Sequence, residues 1–129
     1  MSEADAFENL RCCRAGRRGR CPRGPVRRAI EPAVAAVFEV EVSDLHGETR
    51  GSRRAAFARQ VAMYLAHVAL GLSLTEVGAI FSRDRTTVAH ACAMIEDERD
   101  DPVFDARLEQ LERVICSVVD ALLARRSQS

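Results

Sequence analysis

The polar side chains best suited to chemistry lie close together near residue 85. Within a short stretch the chain places two arginines, an aspartate, two threonines and a histidine: Arg83, Asp84, Arg85, Thr86, Thr87 and His90. Arginine pairs with guanine edges and with phosphates, and threonine hydroxyls bond to base edges. The pattern indicates recognition of a nucleic acid duplex. The alternative interpretation is a surface helix with ordinary solvated polar groups.

Two helices joined by a tight turn would position these side chains. Ser73 and Glu76 have the S-x-x-E spacing of a capping box, which predicts a helix to about Phe81. Asp84 is a suitable N-cap, whose carboxylate would accept from N–H groups of a second helix running to about Glu98. Apolar residues recur at helical spacing in both helices: Leu74, Val77, Ile80 and Phe81 in the first, and Val88, Cys92 and Ile95 in the second. With polar residues at its leading end, the second helix has the layout of a major-groove reader.

The rest of the sequence predicts an all-α fold, a helical bundle around this helix-turn-helix. At 129 residues the chain suits a single domain with a modest core. No alternation of apolar and polar residues is long enough to indicate a sheet. The G-x-x-x-x-G-K-[ST] loop of nucleotide hydrolases does not occur, so we expect no ATPase activity.

Opposite charges are segregated along the chain although they sum to zero. All 19 basic residues are arginine. Residues 50–92 hold six arginines and two acids, whereas residues 93–129 hold five arginines and nine acids. A neutral total therefore does not exclude a polyanionic partner for the central region. The densest acidic run, residues 96–101, fits the solvated end of a helix.

Residues 1–27 are predicted to form a flexible, arginine-rich arm. They contain too few apolar residues to offset the entropy of ordering, and their arginines could bind phosphates through charge alone. Cys12, Cys13 and Cys21 lack C-x₂-C spacing and a fourth ligand nearby, so we expect no zinc site. We expect no other metal and no cofactor.

Cysteine usage indicates a reducing compartment. The five cysteines are an odd number, and the sequence shows neither a signal peptide nor an 18-residue apolar span. We expect a cytoplasmic, nucleoid-associated protein without membrane contact.

Residues 28–124 are predicted to form the folded domain and residues 125–129 a tail. Apolar spacing predicts three further helices, from Arg28 to about Val40, from Ala55 to Leu70 and over about 102–124. Pro32 would lie in the first turn of the first, where proline is tolerated. The expected core residues of the first two are Ile30, Val34, Val37 and Phe38, then Phe57, Val61, Tyr64, Leu65 and Val68. Leu45, in the segment after the first helix, is also expected to pack into the core.

The segment from His46 to Arg54 is predicted to be a mobile basic loop. It combines two glycines with Arg50, Arg53 and Arg54. Arginines on such a loop can enter a narrow minor groove or bind phosphates. An exposed loop with no such role is the equally weighted alternative.

The last helix has a wide apolar stripe. After Asp101 as N-cap and Pro102 as first residue, Phe104, Leu108, Leu111, Ile115, Val118, Val119 and Leu122 recur at helical spacing. We favour packing across the bundle, with a homodimer or a protein partner on this helix as the alternative. In that alternative, changes at Leu111 or Ile115 would abolish function without unfolding the domain.

Three ordered motifs resemble one known family. They are RQVAMYL at residues 59–65, LSLTEVG at residues 72–78 and RDRTTVAHAC at residues 83–92. Together they are similar to the C-terminal DNA-binding domain of DnaA, the bacterial chromosomal replication initiator. The resemblance covers roughly residues 30–114 and implies a helix-turn-helix fold similar to that of the Trp repressor. It also implies binding to short duplex sites of the DnaA-box type.

The resemblance implies roles for individual residues. Arg50 looks like the family's minor-groove arginine, with Arg53 as the alternative, and Leu74 and Thr75 match positions that grip phosphate. Arg83, Asp84, Thr86, Thr87 and His90 match the signature whose members contact bases and phosphates. Arg85 departs from the usual histidine, and since arginine pairs bidentately with guanine, we expect a shift in base preference. Two smaller departures are Phe57-Ala58 in place of Arg-Pro and a shorter turn before Arg83.

Two functional hypotheses follow, and an enzyme is the third and weakest. The first is a stand-alone, sequence-specific double-stranded DNA-binding protein that regulates transcription or chromosome replication. The second is an interaction module that docks on a replication or transcription protein through its acidic C-terminal half. His46, His67 and His90 lie far apart in sequence, and no nucleophile or paired carboxylates accompany them. We expect His67 to be a structural residue.

Overall fold

The computed structural model describes the backbone of residues 23–46 and 52–128. Within these ranges it contains six helices and no strand, which confirms the all-α prediction. In chain order the helices are α1 (Arg23–Phe38), α2 (Val42–His46), α3 (Arg53–Val68), α4 (Leu74–Phe81), α5 (Arg85–Glu98) and α6 (Pro102–Gln128). Arg50 and the three cysteines of the predicted arm lie outside the described residues.

The third helix forms the centre of the core. Six consecutive residues in its middle, 61–66, are buried, and α1, α2, α4 and α5 all pack against it. A helix surrounded in this way must be apolar on every side. Ala58, Ala62 and Ala66 meet that requirement with small side chains, which let the neighbouring helices approach closely.

The first helix begins earlier than the apolar pattern predicts. It starts at Arg23, so residues 23–27 belong to the folded domain and not to an arm. Val26 is fully buried and extends the core stripe of Ile30 and Val34 by one turn. This burial favours a helix that starts before residue 26.

Two other expectations for α1 are wrong. Pro32 lies inside the helix, not in its first turn, and because it has no N–H it cannot make the usual backbone hydrogen bond there. Pro32 is internal because the helix starts at Arg23, earlier than predicted. Val37 is 36% exposed instead of belonging to the core. Phe38 does pack against the core, with its ring 5.6 Å from that of Phe57.

A left-handed residue ends α1 and starts the connection to α3. Glu39 has a φ of 56°, and the N–H of Val40 donates to the carbonyl of Ala35 at 3.0 Å, the bonding pattern of a Schellman motif. The short helix α2, which the sequence did not predict, then carries Leu45 into the core with no exposed area. The predicted packing of Leu45 is confirmed.

Part of the predicted basic loop is helical. Ser52 caps α3 by accepting from the N–H of Ala55 at 3.1 Å, so Arg53 and Arg54 form the first turn of that helix. The prediction that α3 begins at Ala55 and that these arginines lie on a loop is therefore wrong. A serine cap three residues before Ala55 supplies the physical reason, because it satisfies a free N–H of the new first turn.

The connection from α3 to α4 is held by its backbone and by one histidine. α3 ends at Val68, two residues before the predicted end, and Gly71 follows with a φ of 73° that suits glycine. The Nδ1–H of His67 donates to the carbonyl of Leu72 at 2.7 Å. This bond confirms His67 as a structural residue.

The last helix packs on α1. Leu108, Leu111, Ile115 and Val119 are buried, which confirms packing for these positions, whereas Val118 is 37% exposed. Asp101 caps the start by accepting from the N–H of Val103 at 3.0 Å. The helix continues to Gln128, so residues 125–128 are helical and do not form the predicted tail.

The turn between α4 and α5 depends on a glycine and a left-handed serine. Ser73 and Glu76 form both bonds of the predicted capping box, so α4 begins where the sequence predicts. At its other end Ser82 has a φ of 57°, and the N–H of Arg83 donates to the carbonyl of Gly78 at 2.9 Å. A Cβ on Gly78 would overlap the carbonyl oxygen of Arg83. Only glycine therefore fits this helix-turn-helix without a backbone shift.

We expect Gly78→Ala to destabilise the domain by about 1–3 kcal/mol, the usual cost of overpacking. The sign of this change in stability is informative. Where nothing crowds the site, alanine stabilises a helix relative to glycine by roughly 1 kcal/mol. Urea unfolding followed by circular dichroism gives the free energy of unfolding. Ala79→Gly, at the exposed neighbouring position, measures the helix-propensity effect alone. A Gly78→Ala protein as stable as the wild type would contradict the close approach at the turn.

We expect Glu39→Gly to stabilise the domain by roughly 0.5–1 kcal/mol, because it removes the strain of a left-handed non-glycine residue and adds the smaller entropic cost of glycine. Thermal and urea unfolding would measure the gain. Glu41→Gly removes the same charge from a position outside the left-handed region and should bring no gain. Equal effects of the two changes would assign the gain to charge instead of backbone conformation.

Candidate nucleic-acid interface

The leading end of α5 presents the polar residues that the sequence singles out. Asp84, Arg85, Thr86, Thr87 and His90 are all exposed. Val88 between them is fully buried, and Ala91 and Ile95 continue its stripe. Through this narrow apolar stripe α5 packs against α3 and α4. The structure thus brings the five polar side chains together on the outer side of the first two turns of α5.

Asp84 has the backbone geometry of an N-cap without the expected side-chain bond. Its φ of −68° and ψ of 151° are typical for the position, but its carboxylate makes no capping hydrogen bond. The prediction that this carboxylate accepts from the helix is therefore wrong. Since the side chain is exposed, it is available to a partner in front of α5, for example the amino group of cytosine.

Arg83 is held against the turn itself. It is half-buried, and its Nη1 donates to the carbonyl oxygens of Phe81 at 3.4 Å and Ser82 at 3.1 Å. Its charge thus lies beside the positive end of the α5 dipole. Guanidinium, free helix N–H groups and dipole together make this turn suitable for a phosphate.

Arg59 on α3 is a basic residue for which the sequence predicted no separate role. Its guanidinium donates to the backbone carbonyls of Asp44 at 2.8 Å and Leu45 at 3.4 Å, at the end of α2. Burial lowers its pKa, the positive charge of Arg83 lowers it further, and Asp44 opposes both effects. The two arginines are therefore close enough to repel each other, and an anion beside them would relieve the repulsion. In the sequence Arg59 opens the RQVAMYL motif, but nothing near it predicts its bonds to Asp44 and Leu45.

Two of the predicted loop arginines lie at the start of α3. Arg53 and Arg54 are exposed at the start of α3 and line a cleft with Glu39, Glu41 and Asp44. Their charges are thus set among acidic side chains. Arg50 precedes them outside the described residues.

Leu74 and Thr75 form the first turn of α4. Thr75 is exposed and Leu74 is half-buried against the core. The leading N–H groups of an α-helix carry partial positive charge, so this turn offers a second place for a phosphate. The capping box uses the N–H groups of Ser73 and Glu76, and leaves Thr75 on the outer surface.

Small side chains continue the exposed face of α5. Ala89 and Ala93 are exposed beside His90, and neither extends far from the helix. A helix with short side chains on its outer face can approach the floor of a groove closely. Hydrophobic spacing gave no sign of this role, because an exposed alanine differs little from a buried one in sequence.

The charges along α5 run from basic to acidic. Arg83 and Arg85 lie at its beginning, and exposed Glu96, Asp97 and Glu98 lie at its end. The helix dipole has the same direction as this gradient, because its positive end is at the N-terminus. A polyanion would therefore attract the beginning of α5 and repel its end.

Cys92 lies on α5 without a sign of reactivity. Burial and the nearby Glu96 raise the pKa of its thiol to about 11, so it stays protonated at neutral pH. No group of three histidine, cysteine or acidic residues in the described part of the chain is placed to hold a metal ion. None of the described helices is long and apolar enough to cross a membrane.

Comparison with known proteins agrees with this architecture. The profile of the family described as "Bacterial dnaA protein helix-turn-helix" matches residues 28–95, about half of the chain. Chromosomal replication initiator protein DnaA 1 of Protochlamydia amoebophila is 52% identical over 67 residues, which are 52% of this chain and 15% of the relative. The DnaA protein of Symbiobacterium thermophilum is 42% identical over 84 residues, 64% of this chain and 18% of the relative.

A solved structure has the same fold. The crystal structure of a DNA replication initiation factor superimposes with a TM-score of 0.67 and 32% sequence identity, over 75% of this chain and 30% of that one. The chain spans less than a fifth of the length of the two DnaA relatives above. The matched residues 28–95 contain α4, the turn and most of α5. The chain therefore belongs to the bacterial DnaA helix-turn-helix family, a family of DNA-binding domains.

Proposed function

We propose that this protein binds double-stranded DNA sequence-specifically at DnaA-box-like sites, and that it thereby regulates transcription or chromosome replication without hydrolysing ATP itself. The observation that carries the proposal is the outer side of α5, where five polar side chains are exposed around a fully buried Val88. An exposed polar leading end on a helix pinned by its other face is the geometry that helix-turn-helix proteins insert into the major groove.

The proposed contacts divide into base recognition and backbone positioning. Arg85, Thr86, Thr87 and His90 would contact base edges, and Asp84 could accept from cytosine. Contacts to phosphate would come from the turn, from the start of α4 and from the start of α3: Arg83, Leu74, Thr75, Arg53 and Arg54. Arg50 would reach the minor groove. We add Arg59 to this set, because its charge and that of Arg83 act on each other and a phosphate would relieve the repulsion.

A binding titration tests the proposal directly. The full chain is titrated with a fluorescent DnaA-box duplex and with a scrambled duplex of the same composition, at one fixed salt concentration. Specific recognition predicts clearly tighter binding to the DnaA-box duplex, whereas the phosphate contacts contribute to both. Equal affinity for the two duplexes would exclude sequence-specific recognition of this site.

We expect Arg85→Ala to weaken binding to the DnaA-box duplex by about 1–3 kcal/mol and to relax selectivity at one base position. Binding to the scrambled duplex should change much less. Arg107→Ala, which removes an exposed arginine from α6, is the matched control for charge. If Arg85→Ala weakened both duplexes to the same extent, Arg85 would contact phosphate and not a base.

We expect the double change Arg53→Ala with Arg54→Ala to weaken all duplexes alike. Each lost phosphate contact should reduce the slope of log affinity against log salt by about 1. Titrations at several salt concentrations measure the slope, with Arg107→Ala again as control. An unchanged slope would place both arginines away from DNA, held by the acidic residues of their cleft.

A second candidate function has one specific observation in its favour. Val103, Val114 and Val118 on α6 are 69%, 50% and 37% exposed, and they could form part of a surface for a protein partner or a second copy. Leu111 and Ile115, the positions that the sequence suggested for this test, are core residues, so changing them would unfold the domain. Val114→Ser with Val118→Ser is the appropriate variant. This second function predicts that regulation is lost in that variant and kept in Arg85→Ala.

A further inference from the structure

Arg99 lies directly after α5, at the opposite end from the proposed DNA contacts. It is the C-cap of α5, and its backbone N–H donates to the carbonyls of Ile95 and Glu96. Its side chain turns toward the protein and is only 18% exposed. The neighbouring acidic residues Asp97, Glu98 and Asp100 are exposed, so Arg99 is the exception within this charged run.

The guanidinium of Arg99 joins three helices. Its Nε donates to Oδ1 of Asp105 at 2.5 Å, and its Nη1 donates to Oε2 of Glu112 at 3.3 Å, both on α6. The same Nη1 donates to the hydroxyl of Tyr64 on α3 at 3.0 Å. The Tyr64 hydroxyl in turn donates to Oε2 of Glu96 on α5 at 2.5 Å. We call Tyr64, Glu96, Arg99, Asp105 and Glu112 the Arg99 cluster.

Tyr64 and Arg99 both keep their protons near neutral pH, so each can donate. Burial and the bond to Glu96 raise the pKa of Tyr64, so its hydroxyl remains a donor. Burial lowers the pKa of Arg99, but its bonds to Asp105 and Tyr64 outweigh that effect, and the net pKa is raised. Burial also raises the pKa of Glu112, and Arg99 opposes this.

Stability alone is a weak explanation for such a cluster. Removing charges from water costs free energy that an ion pair only partly returns, and apolar residues of similar volume often stabilise as well or better. What a charged network adds is a fixed relative position of its members, since several directional bonds must be satisfied together. The more informative property of the cluster is therefore the relative position of the helices that it joins.

The helix whose position matters for DNA contact is α5. The helix has 14 residues and is about 20 Å long at a rise of about 1.5 Å per residue. Its apolar contact with α3 and α4 is a narrow stripe of Val88, Ala91 and Ile95. The turn holds the start of α5, so a tilt of about 10° about that start would move His90, about 9 Å along the helix, by roughly 1.5 Å. Hydrogen bonds to base edges span only about 2.7–3.2 Å, so such a displacement breaks them.

We propose that Arg99 is a positioning residue for sequence recognition: through its cluster it ties the end of α5 to α3 and α6, and so sets the direction of the helix and the placement of His90 in the groove. The inference rests on the proposed function. It assigns a role to α6, because Asp105 and Glu112 belong to that helix. Arg99, Asp105 and Glu112 all lie beyond residue 95, where the family match ends.

The test compares specific and non-specific binding in Arg99→Gln, Arg99→Lys and Tyr64→Phe. Each full-length variant is titrated with the DnaA-box duplex and the scrambled duplex at a temperature where thermal melting shows it folded. The quantity compared is the ratio of the two affinities. A change that merely lowers the folded fraction reduces both affinities in proportion and leaves the ratio unaltered. A misplaced α5 lowers the DnaA-box affinity alone.

For Arg99→Gln we expect the affinity ratio to fall by about tenfold or more, in line with the cost of small misplacements of a recognition group. Arg99→Lys keeps the charge and should recover part of the loss. Tyr64→Phe keeps the buried ring, removes the link between Arg99 and Glu96, and should also lower the ratio. Arg113→Gln takes the same charge from an exposed position on α6 and should leave the ratio at its wild-type value.

Two results would overturn the inference. Both have a wild-type affinity ratio in Arg99→Gln and in Tyr64→Phe. In one, the two affinities are also unchanged, and the cluster has no effect on binding. In the other, the two affinities fall equally, and the cluster is purely structural. Failure of the proposed function looks different, because the wild-type protein would then show no preference for the DnaA-box duplex. The wild-type titration therefore separates the two failures.

Discussion

The close approach of Gly78 to the carbonyl of Arg83 is the constraint on which the proposed interface depends. A side-chain carbon at residue 78 would overlap that carbonyl oxygen, so the two backbone segments meet with no space for one. Because the backbone of α4 is in contact with that of the turn, the position of the turn is fixed. The start of α5, immediately after Asp84, is therefore fixed relative to α4. Ser82, in the left-handed region, makes the reversal possible. The exposed polar residues of α5 follow from this geometry and from the buried position of Val88.

Local signals in the sequence predicted α4 and α5 well, because their ends depend on residues nearby in the chain. The capping box at Ser73 and the N-cap position of Asp84 are such signals, and both helices begin where they indicate. The start of α1 depends instead on whether Val26 finds a place in the core, which only the packed structure decides. The first turn of α3 depends on the Ser52 cap, a weak signal in a segment rich in glycine and arginine. Helical periodicity therefore predicted every described helix except α2. Local caps set the starts of α3, α4 and α5, and tertiary packing set the start of α1.

The site shows the same division between local and distant information. Periodicity around Val88 was enough to predict which side of α5 is exposed. The roles of Arg59 and Arg99 could not be predicted, because their partners lie far away in sequence: 15 residues from Arg59 to Asp44 and 35 from Arg99 to Tyr64. In sequence both arginines look like ordinary solvated charges. Burial changes their role, since a half-buried guanidinium must satisfy its donors within the protein.

The distribution of charge on α5 explains how a chain with no net charge can still orient on DNA. The two ends of the helix are about 20 Å apart, whereas the screening length at physiological ionic strength is about 8 Å. The acidic end is therefore largely screened from a phosphate that is near the basic end, and does not cancel its attraction. At closer range the acidic end repels the duplex, so the helix is favoured to approach with Arg83 and Arg85 first. The cluster around Arg99 sharpens this separation, because it draws the one arginine of the acidic run inward and leaves Glu98, Asp100 and Asp101 exposed.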